Sequence, residues 1–409
     1  MTSIDPITTF MFANLRRMVP FFDASISDWA WEARVLSWLT GVWLVMGLIV
    51  LFSASYPTAS LEHGDGLYYF KRQVIWAVVG SIGFWIAVRT PLQYLLGVAR
   101  WFLFFIFILL ILILIPGVGT TVNGATRWIS IGPIPIQPSE LLKPFLILQG
   151  AKIFGRWNHL SFSRRLVWLG IWAVILVSIL LQPNLSTTGL CGMMLWLMAL
   201  AAGLPYKQLG GTALGGVLLA GISITFKEYQ RRRVLSFLNP WADPDRDGYQ
   251  LVQSLLAVGS GGPWGTGFGL SQQKLYYLPI QHSDFIFAVF AEEFGFIGSL
   301  MLFLLLAAYG TLALRVALKA KYLTHQLVAI GVMVIMVGQS LVHIGVVTGA
   351  LPTTGLPLPL FSSGGSSTIA SLTIAGLLIR VARESGQAEV ISFEGFRSSK
   401  RKRRQKSSS

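Results

Sequence analysis

The stretch LPIQHSDFIFAVFAEEFGFIGSL, residues 278–300, passes from polar residues into a membrane-grade apolar run. It carries Asp284 at its threshold and Glu292 and Glu293 inside. Ionised carboxylates are costly within a membrane, so each needs a partner or a task. At a lipid–water boundary Asp284 can take a proton from a hydroxyl as general base; burial raises such a pKa and nearby cations lower it. The same residue can instead cap the helix that follows, accepting hydrogen bonds from free backbone N–H groups. The two roles are compatible. On a straight helix Glu292 lies about 80° and Glu293 about 180° around from Asp284. Glu292 then sits nearer the face of Asp284 and Glu293 points away. Interhelical hydrogen bonding that holds the bundle is the expected role of both.

Cations come next. Arg231, Arg232 and Arg233 open a long polar segment that also holds Arg246; Arg127 precedes Trp128; Lys143 lies one turn into the run after QPSE. Guanidinium groups grip phosphate oxygens bidentately and Lys acts as a point charge, so a clustered set suits a pyrophosphate. For the Arg triplet alone, a topological stop signal or headgroup contact is the plainer reading. SSGGSS, 362–367, opens the last apolar run, where free N–H groups and the helix dipole favour an anion. Ser139 before Glu140 suggests a cap of the same kind. His282 is one of five histidines, and no second His or Cys stands at zinc spacing, so a zinc site is rejected. A hard cation held by carboxylates and phosphate oxygens fits better. No Walker loop, dinucleotide fingerprint or Ser-His-Asp pattern stands out.

These residues need a scaffold. The chain has 409 residues, 54% hydrophobic and only 12% charged, which marks an all-α polytopic membrane protein rather than a soluble domain. Apolar runs lie near 36–54, 73–88, 99–117, 138–154, 166–182, 185–204, 208–226, 284–314, 326–350 and 360–379. Pro183 and Gly189 break the pair 166–204 into two. Ten spans put both termini on one side, and most of the 32 Lys and Arg then fall on that side, the cytoplasmic one. Segments 1–35 and 384–409 are cytoplasmic, the second strongly basic from Arg397 to Lys406 and suited to anionic headgroups rather than nucleic acid. Three Gly- and Pro-rich segments, 117–140, 227–283 and 348–367, meet at the outer face. The single Cys191 allows no internal disulfide, and residues 1–34 do not look like a cleaved signal peptide.

Four motifs in order, NGATRWISIGPIPIQPSELLK, QRRRVLSFLNPWADPDRDGYQLVQSLLAVGSGG, QKLYYLPIQHSDFIFAVFAEEFGFIG and LPTTGLPLPLFSSGGSS, resemble the SEDS family of cell-wall proteins. That family includes FtsW, RodA and SpoVE, and the resemblance covers about residues 36–383. It implies ten transmembrane helices with a large extracytoplasmic loop between the seventh and eighth. It also implies polymerisation of lipid II into glycan strands. Asp284, at the position of the family's essential Asp, would activate the acceptor hydroxyl, and undecaprenyl pyrophosphate would leave with inversion. Arg231, Arg233 and Lys143 stand at matching positions for binding substrate, as do Trp128 and Glu140, with Glu140 placed to pair with Lys143. Arg127, His282 and Ser366 complete the candidate set. A divalent cation, Mg²⁺ or Mn²⁺, is the implied cofactor.

NPWADP, QKLYYLP and the PTTGLPLP segment resemble the septal type more than the elongation type. The implied partners are a class B penicillin-binding protein supplying transpeptidation, other division proteins and membrane lipid; nucleic acid is not among them. Asn184, Ile280, His343 and Ser363 depart from the family pattern by replacing Asp, Glu, Asn and Tyr. An elongation polymerase is the nearest alternative. A lipid II flippase is the second, favoured by intramembrane Glu residues but lacking inverted repeats. A non-catalytic scaffold is the third.

Overall fold

In a computed structural model the ten apolar runs fold as helices that cross back and forth between two ends. The structure describes residues 29–406 apart from 123, 124, 133 and 276, with side chains through Gly386 except those of 122, 125 and 131. The helices are α1 (Trp31–His63), α2 (Tyr68–Arg89), α3 (Leu92–Leu112), α4 (Pro138–Phe154), α5 (Phe162–Leu181), α6 (Leu185–Ala201) and α7 (Tyr206–Phe226). There follow α8 (Glu228–Leu238), α9 (Tyr249–Ser260), α10 (Ile286–Lys319), α11 (Leu323–Val347) and α12 (Gly365–Lys406). The N-terminal segment before residue 29 and the side chains of the basic tail lie outside the described residues.

Among the described residues, α1, α3, α5, α7, α10, α11 and α12 are long and apolar enough on their own to cross a membrane. The other three of the expected ten are α2, α4 and α6. Helix α2 carries Lys71, Arg72 and Gln73 near its start, and α4 and α6 have 17 residues each. Burial explains how α4 tolerates charge. Most of it is enclosed by other helices, which keeps Ser139, Glu140, Lys143 and Gln149 away from lipid. The most enclosed long helices are α12 and α11, at 72% and 67% of their apolar windows; α7 is at the rim, 11% enclosed.

The all-α membrane architecture read from the sequence stands, and the structure adds a small antiparallel sheet in the first outer segment: β1 (Thr120–Val122), β2 (Ala125–Ile131) and β3 (Ile134–Ile136), β2 central. Two details differ from the expectation. The 227–283 segment is not a plain loop, since α8 and α9 occupy much of it. The eighth span starts at Ile286, so Asp284 precedes it, and it is broken inside at Gly295, with φ 65° and ψ −161°. The break between α5 and α6 stands where Pro183 predicts it.

The break in α10 is closed by another part of the chain. In an unbroken helix the Phe296 and Ile297 N–H groups would bond the Glu292 and Glu293 carbonyls. Here the turn at 261–267 is interposed. Its Thr266 and Gly267 N–H groups donate to those two carbonyls, at 2.9 and 3.1 Å. Phe296 and Ile297 donate instead to the Gly262 and Pro263 carbonyls, at 2.8 and 3.1 Å. Such close approach excludes side chains. A Cβ on Gly295 would lie 2.3 Å from the Gly265 nitrogen, and one on Gly265 would lie 2.1 Å from the Glu293 carbonyl oxygen.

The polar segments meet at one end of the bundle, where α4, α6, α10 and α12 begin. The opposite end is tied by Lys319–Glu32 at 2.8 Å, by Arg383 over the Trp29 ring at 4.4 Å, and by Glu384 bonded to His325, Arg380 and the Leu92 N–H. Both ends of the described chain therefore lie away from the site. Gly295→Ala is expected to destabilise the protein by about 1–3 kcal/mol. Gly215→Ala, on the open face of α7 where nothing lies within 4 Å, should be neutral or stabilising. Thermal unfolding in detergent compares the two.

Candidate functional site

The turn before α10 is fixed from several directions. Ile280 has φ 55°, a left-handed conformation that costs a β-branched residue dearly. Its carbonyl accepts from the Ser283 and Asp284 N–H groups at 3.0 and 3.2 Å. The His282 carbonyl accepts from the Ser363 N–H at 2.9 Å, and the Ser283 carbonyl from the Ser362 hydroxyl at 2.7 Å. The Gln281 amide donates to the Thr58 hydroxyl on α1. Strain held from that many sides belongs with sites that must keep one geometry.

Asp284 is half-buried and accepts a hydrogen bond from the Ser283 hydroxyl at 3.2 Å. It does not cap α10: the N-cap residue is Phe285, and no side chain bonds the free N–H groups there. Burial pushes its carboxyl above the usual Asp range, while Arg233, the Ser283 hydroxyl and Arg127 act against that shift. Arg127 and Asp284 flank one point. A methyl group on Gly355 would lie 3.6 Å from both Arg127 Nη1 and Asp284 Oδ2.

Beside this point lies a cavity of about 290 Å³, whose lining includes Arg127, Asn184, Tyr229, Arg233, Thr353 and Gly355 among further polar and apolar residues. Arg127 extends from β2 and donates to the carbonyls of Gln182 (3.3 Å) and Pro183. Arg233 comes from α8, donates to the Thr353 carbonyl at 3.3 Å and stacks over the Tyr229 ring at 4.5 Å. Each guanidinium is thus held by neutral groups, which leaves its charge available to an anion. Tyr229 was not found from sequence. It stands four residues before Arg233 on one helix face, a relation visible only once α8 is recognised as a helix.

The remaining candidates are distributed around this centre. Arg231 is exposed and does not line the cavity. Arg232, also exposed, pairs with Glu228 at 2.6 Å. Trp128 is half-buried and, being next to Arg127 on a strand, projects to the other face of the sheet. His282 stacks on Tyr69 with ring centroids 4.5 Å apart, and burial pushes its pKa down. Ser366 is buried and accepts from the Gln137 N–H at 2.9 Å, joining the start of α12 to the start of α4.

Glu140 and Lys143 do pair, at 2.6 Å, but they are 2% and 1% exposed and sit beneath the surface. The Lys143 ammonium also donates to Gln339 at 2.9 Å, directly after the π-helical segment Val334–Gly338 of α11. The Gln339 amide in turn donates to the Pro357 carbonyl at 2.6 Å. The pair therefore supports the loop carrying Gly355 and Thr353 from below.

Two of the unusual residues find ready physical roles. Asn184 caps α6 by accepting from the Thr187 N–H at 3.3 Å, a task Asn performs as well as Asp. The His343 ring meets the Leu356 carbonyl at 2.8 Å through Nδ1. For a metal the fit is poor. Among the described residues no three His, Cys, Asp or Glu side chains cluster, and no carboxylate lines the cavity.

Residues 34–387 match the model of the cell cycle protein family of FtsW, RodA and SpoVE. A probable peptidoglycan glycosyltransferase FtsW of Synechocystis is 55% identical over 93% of this chain and 96% of its own. Among solved structures, a chain reported under the structural coordination of polymerization and crosslinking by a peptidoglycan synthase complex aligns with TM-score 0.69 and 28% identity. It covers 87% of this chain and 98% of that one. The rod shape determining protein RodA of Thermus thermophilus aligns with TM-score 0.64 and 27% identity, covering 87% and 97%.

Removing one member of the buried pair leaves the other charge uncompensated. Glu140→Gln is expected to cost about 3–5 kcal/mol of stability. The double variant Glu140→Gln/Lys143→Met should recover most of that loss. Thermal unfolding of the single and double variants measures both effects.

Proposed function

This chain belongs to the FtsW/RodA/SpoVE cell cycle protein family and is a multi-pass membrane protein; from that premise we propose that it is a peptidoglycan glycosyltransferase that polymerises lipid II. The observation that carries the reading is the half-buried Asp284 carboxylate beside the Arg127 and Arg233 guanidiniums at the mouth of one cavity. A base and two cations are what sugar transfer from a pyrophosphate carrier requires. The acceptor hydroxyl gives its proton to Asp284 as its oxygen bonds to the donor's anomeric carbon. The bond from that carbon to the pyrophosphate breaks, the carrier departs with the electron pair, and the anomeric centre inverts. Arg233 and Arg127 meet the charge that develops on the leaving group in a partly desolvated site, where fixed charges act most strongly.

The raised carboxyl pKa suits a base, because its conjugate acid is weaker than that of an exposed Asp, while Arg233, the Ser283 hydroxyl and Arg127 oppose the shift that burial causes. A divalent cation would need phosphate oxygens for most of its ligands, since among the described residues no cluster of His, Cys, Asp or Glu could hold it. No step here depends on one. The positive-inside rule puts the site end outward and both termini in the cytoplasm. We place this activity in septal synthesis with a transpeptidase as partner, a reading supported by the FtsW names of the relatives and by a neighbour reported in a complex of polymerization and crosslinking.

With purified protein, its transpeptidase partner and lipid II, Asp284→Asn should lower glycan synthesis about 10²–10⁴-fold with lipid II binding retained; full activity in that variant would refute the mechanism. Arg233→Ala should raise KM about tenfold through lost charge-assisted contact. As pH falls, kcat/KM should drop through an apparent pKa above the ordinary Asp value, because protonation removes the base and burial has moved its pKa upward.

A further inference from the structure

Two carboxylates inside α10 take no part in that reaction, and all their partners but Ser53 of α1 lie in the segment leading to Asp284. Glu292, 2% exposed, accepts from the Ser271 hydroxyl, the Gln272 N–H at 2.9 Å and the Gln273 N–H at 3.3 Å. Glu293, 1% exposed, accepts from the Lys274 ammonium at 2.6 Å and the Ser53 hydroxyl of α1 at 2.6 Å. Lys274, 4% exposed, also donates to Ser53 at 2.8 Å, closing a buried triangle.

The triangle continues toward Asp284. The Lys274 carbonyl accepts from the Gln281 amide at 3.4 Å, and that amide also reaches Thr58, five residues after Ser53 on α1. Gln281 is three residues from Asp284, within the turn closed by the Ile280 carbonyl. Residues 271–274 and Gln281 are thus held between α10, which follows Asp284, and α1, no residue of which lines the cavity. A buried ion pair is weak evidence for stability, because apolar residues of similar volume often serve a fold as well. Its fixed length and direction make it good at setting geometry.

We propose that the Glu293–Lys274–Ser53 triangle is a positioning device that holds the Asp284 turn at its working height against α1. This rests on the polymerase reading above. Lys274 and Glu293 are positioning residues: they touch neither the cavity nor the Asp284 carboxylate. A purely structural pair and a positioning pair differ in what their joint replacement does. Lys274→Met with Glu293→Gln removes both charges at once and avoids an orphaned ion. A structural pair would then be dispensable. A positioning pair would not, since neither Met nor a neutral amide restores the short ionic contact.

The test uses the full chain with its transpeptidase partner and lipid II, measuring kcat, KM and the unfolding midpoint. Wild-type polymerisation in the same preparation shows that the underlying reading holds, so a failure of this proposal is separable from a failure of that one. The double variant is expected to unfold near the wild-type temperature, keep KM within about twofold and lose about tenfold in kcat, the scale of a small misplacement of a reacting group. Wild-type kcat in the folded double variant overturns the proposal. So does a loss confined to KM. If the double variant does not fold, Ser53→Ala removes one side of the triangle while keeping the ion pair. A kcat reduced about threefold at unchanged KM then supports the proposal, and an unchanged kcat overturns it.

Discussion

Hydrocarbon offers no hydrogen-bond partner, so a helix that breaks within a membrane bundle must satisfy its freed backbone from inside the protein. The break at Gly295 in α10 imposes that demand, and the turn at 261–267 meets it by bonding both sides of the gap. Much of the site follows from this docking. Once the turn is seated, the chain beyond it runs past Glu292 and Glu293, which bond residues 271–274 and carry the segment to Asp284. The long outer segment is therefore not a flap over the bundle. It is built into the bundle at a helix break, and the turn that carries Asp284 inherits that rigidity.

Electrostatics at the site is a balance between opposed terms. Partial burial disfavours the ionised form of Asp284, and the two arginines favour it. Either alone would spoil a general base: burial without cations would keep it protonated, and full ion pairing would make it too weak to take a proton. The arginines avoid close ion pairing because backbone carbonyls and the Tyr229 ring hold them. The Glu140–Lys143 pair belongs to a lower layer and acts through Gln339 on the loop that carries Gly355.

Much of this was legible in the sequence because hydropathy speaks loudly in membrane proteins. All ten runs became helices, and the alternation of their ends put the polar segments together. Of the cations singled out in the sequence, Arg127 and Arg233 lie near Asp284, and Arg231 and Lys143 do not line the cavity. The misses have physical causes. Helices α8 and α9 are short and amphipathic, and the Gly- and Pro-rich residues around them read as loop. The capping role expected of Asp284 fails because the chain enters α10 through Phe285. Glu292 and Glu293 were set against Asp284 on one straight helix, yet Asp284 precedes that helix, and the residues they bond lie on the preceding segment. Lys143 looked available for substrate because sequence spacing cannot reveal that Gln339 occupies it.

The most direct test of the account is the stereochemistry of the bond made. Reconstituted in lipid vesicles with the proposed transpeptidase partner, the full chain would receive lipid-linked disaccharide, and NMR would read the anomeric configuration of each new linkage against that of the donor. A single base at Asp284 with arginines on the leaving group predicts polymer with every new linkage inverted. Retained configuration would mean a covalent sugar–enzyme intermediate, and absence of polymer beside an active control polymerase would mean no transferase; either result contradicts the account.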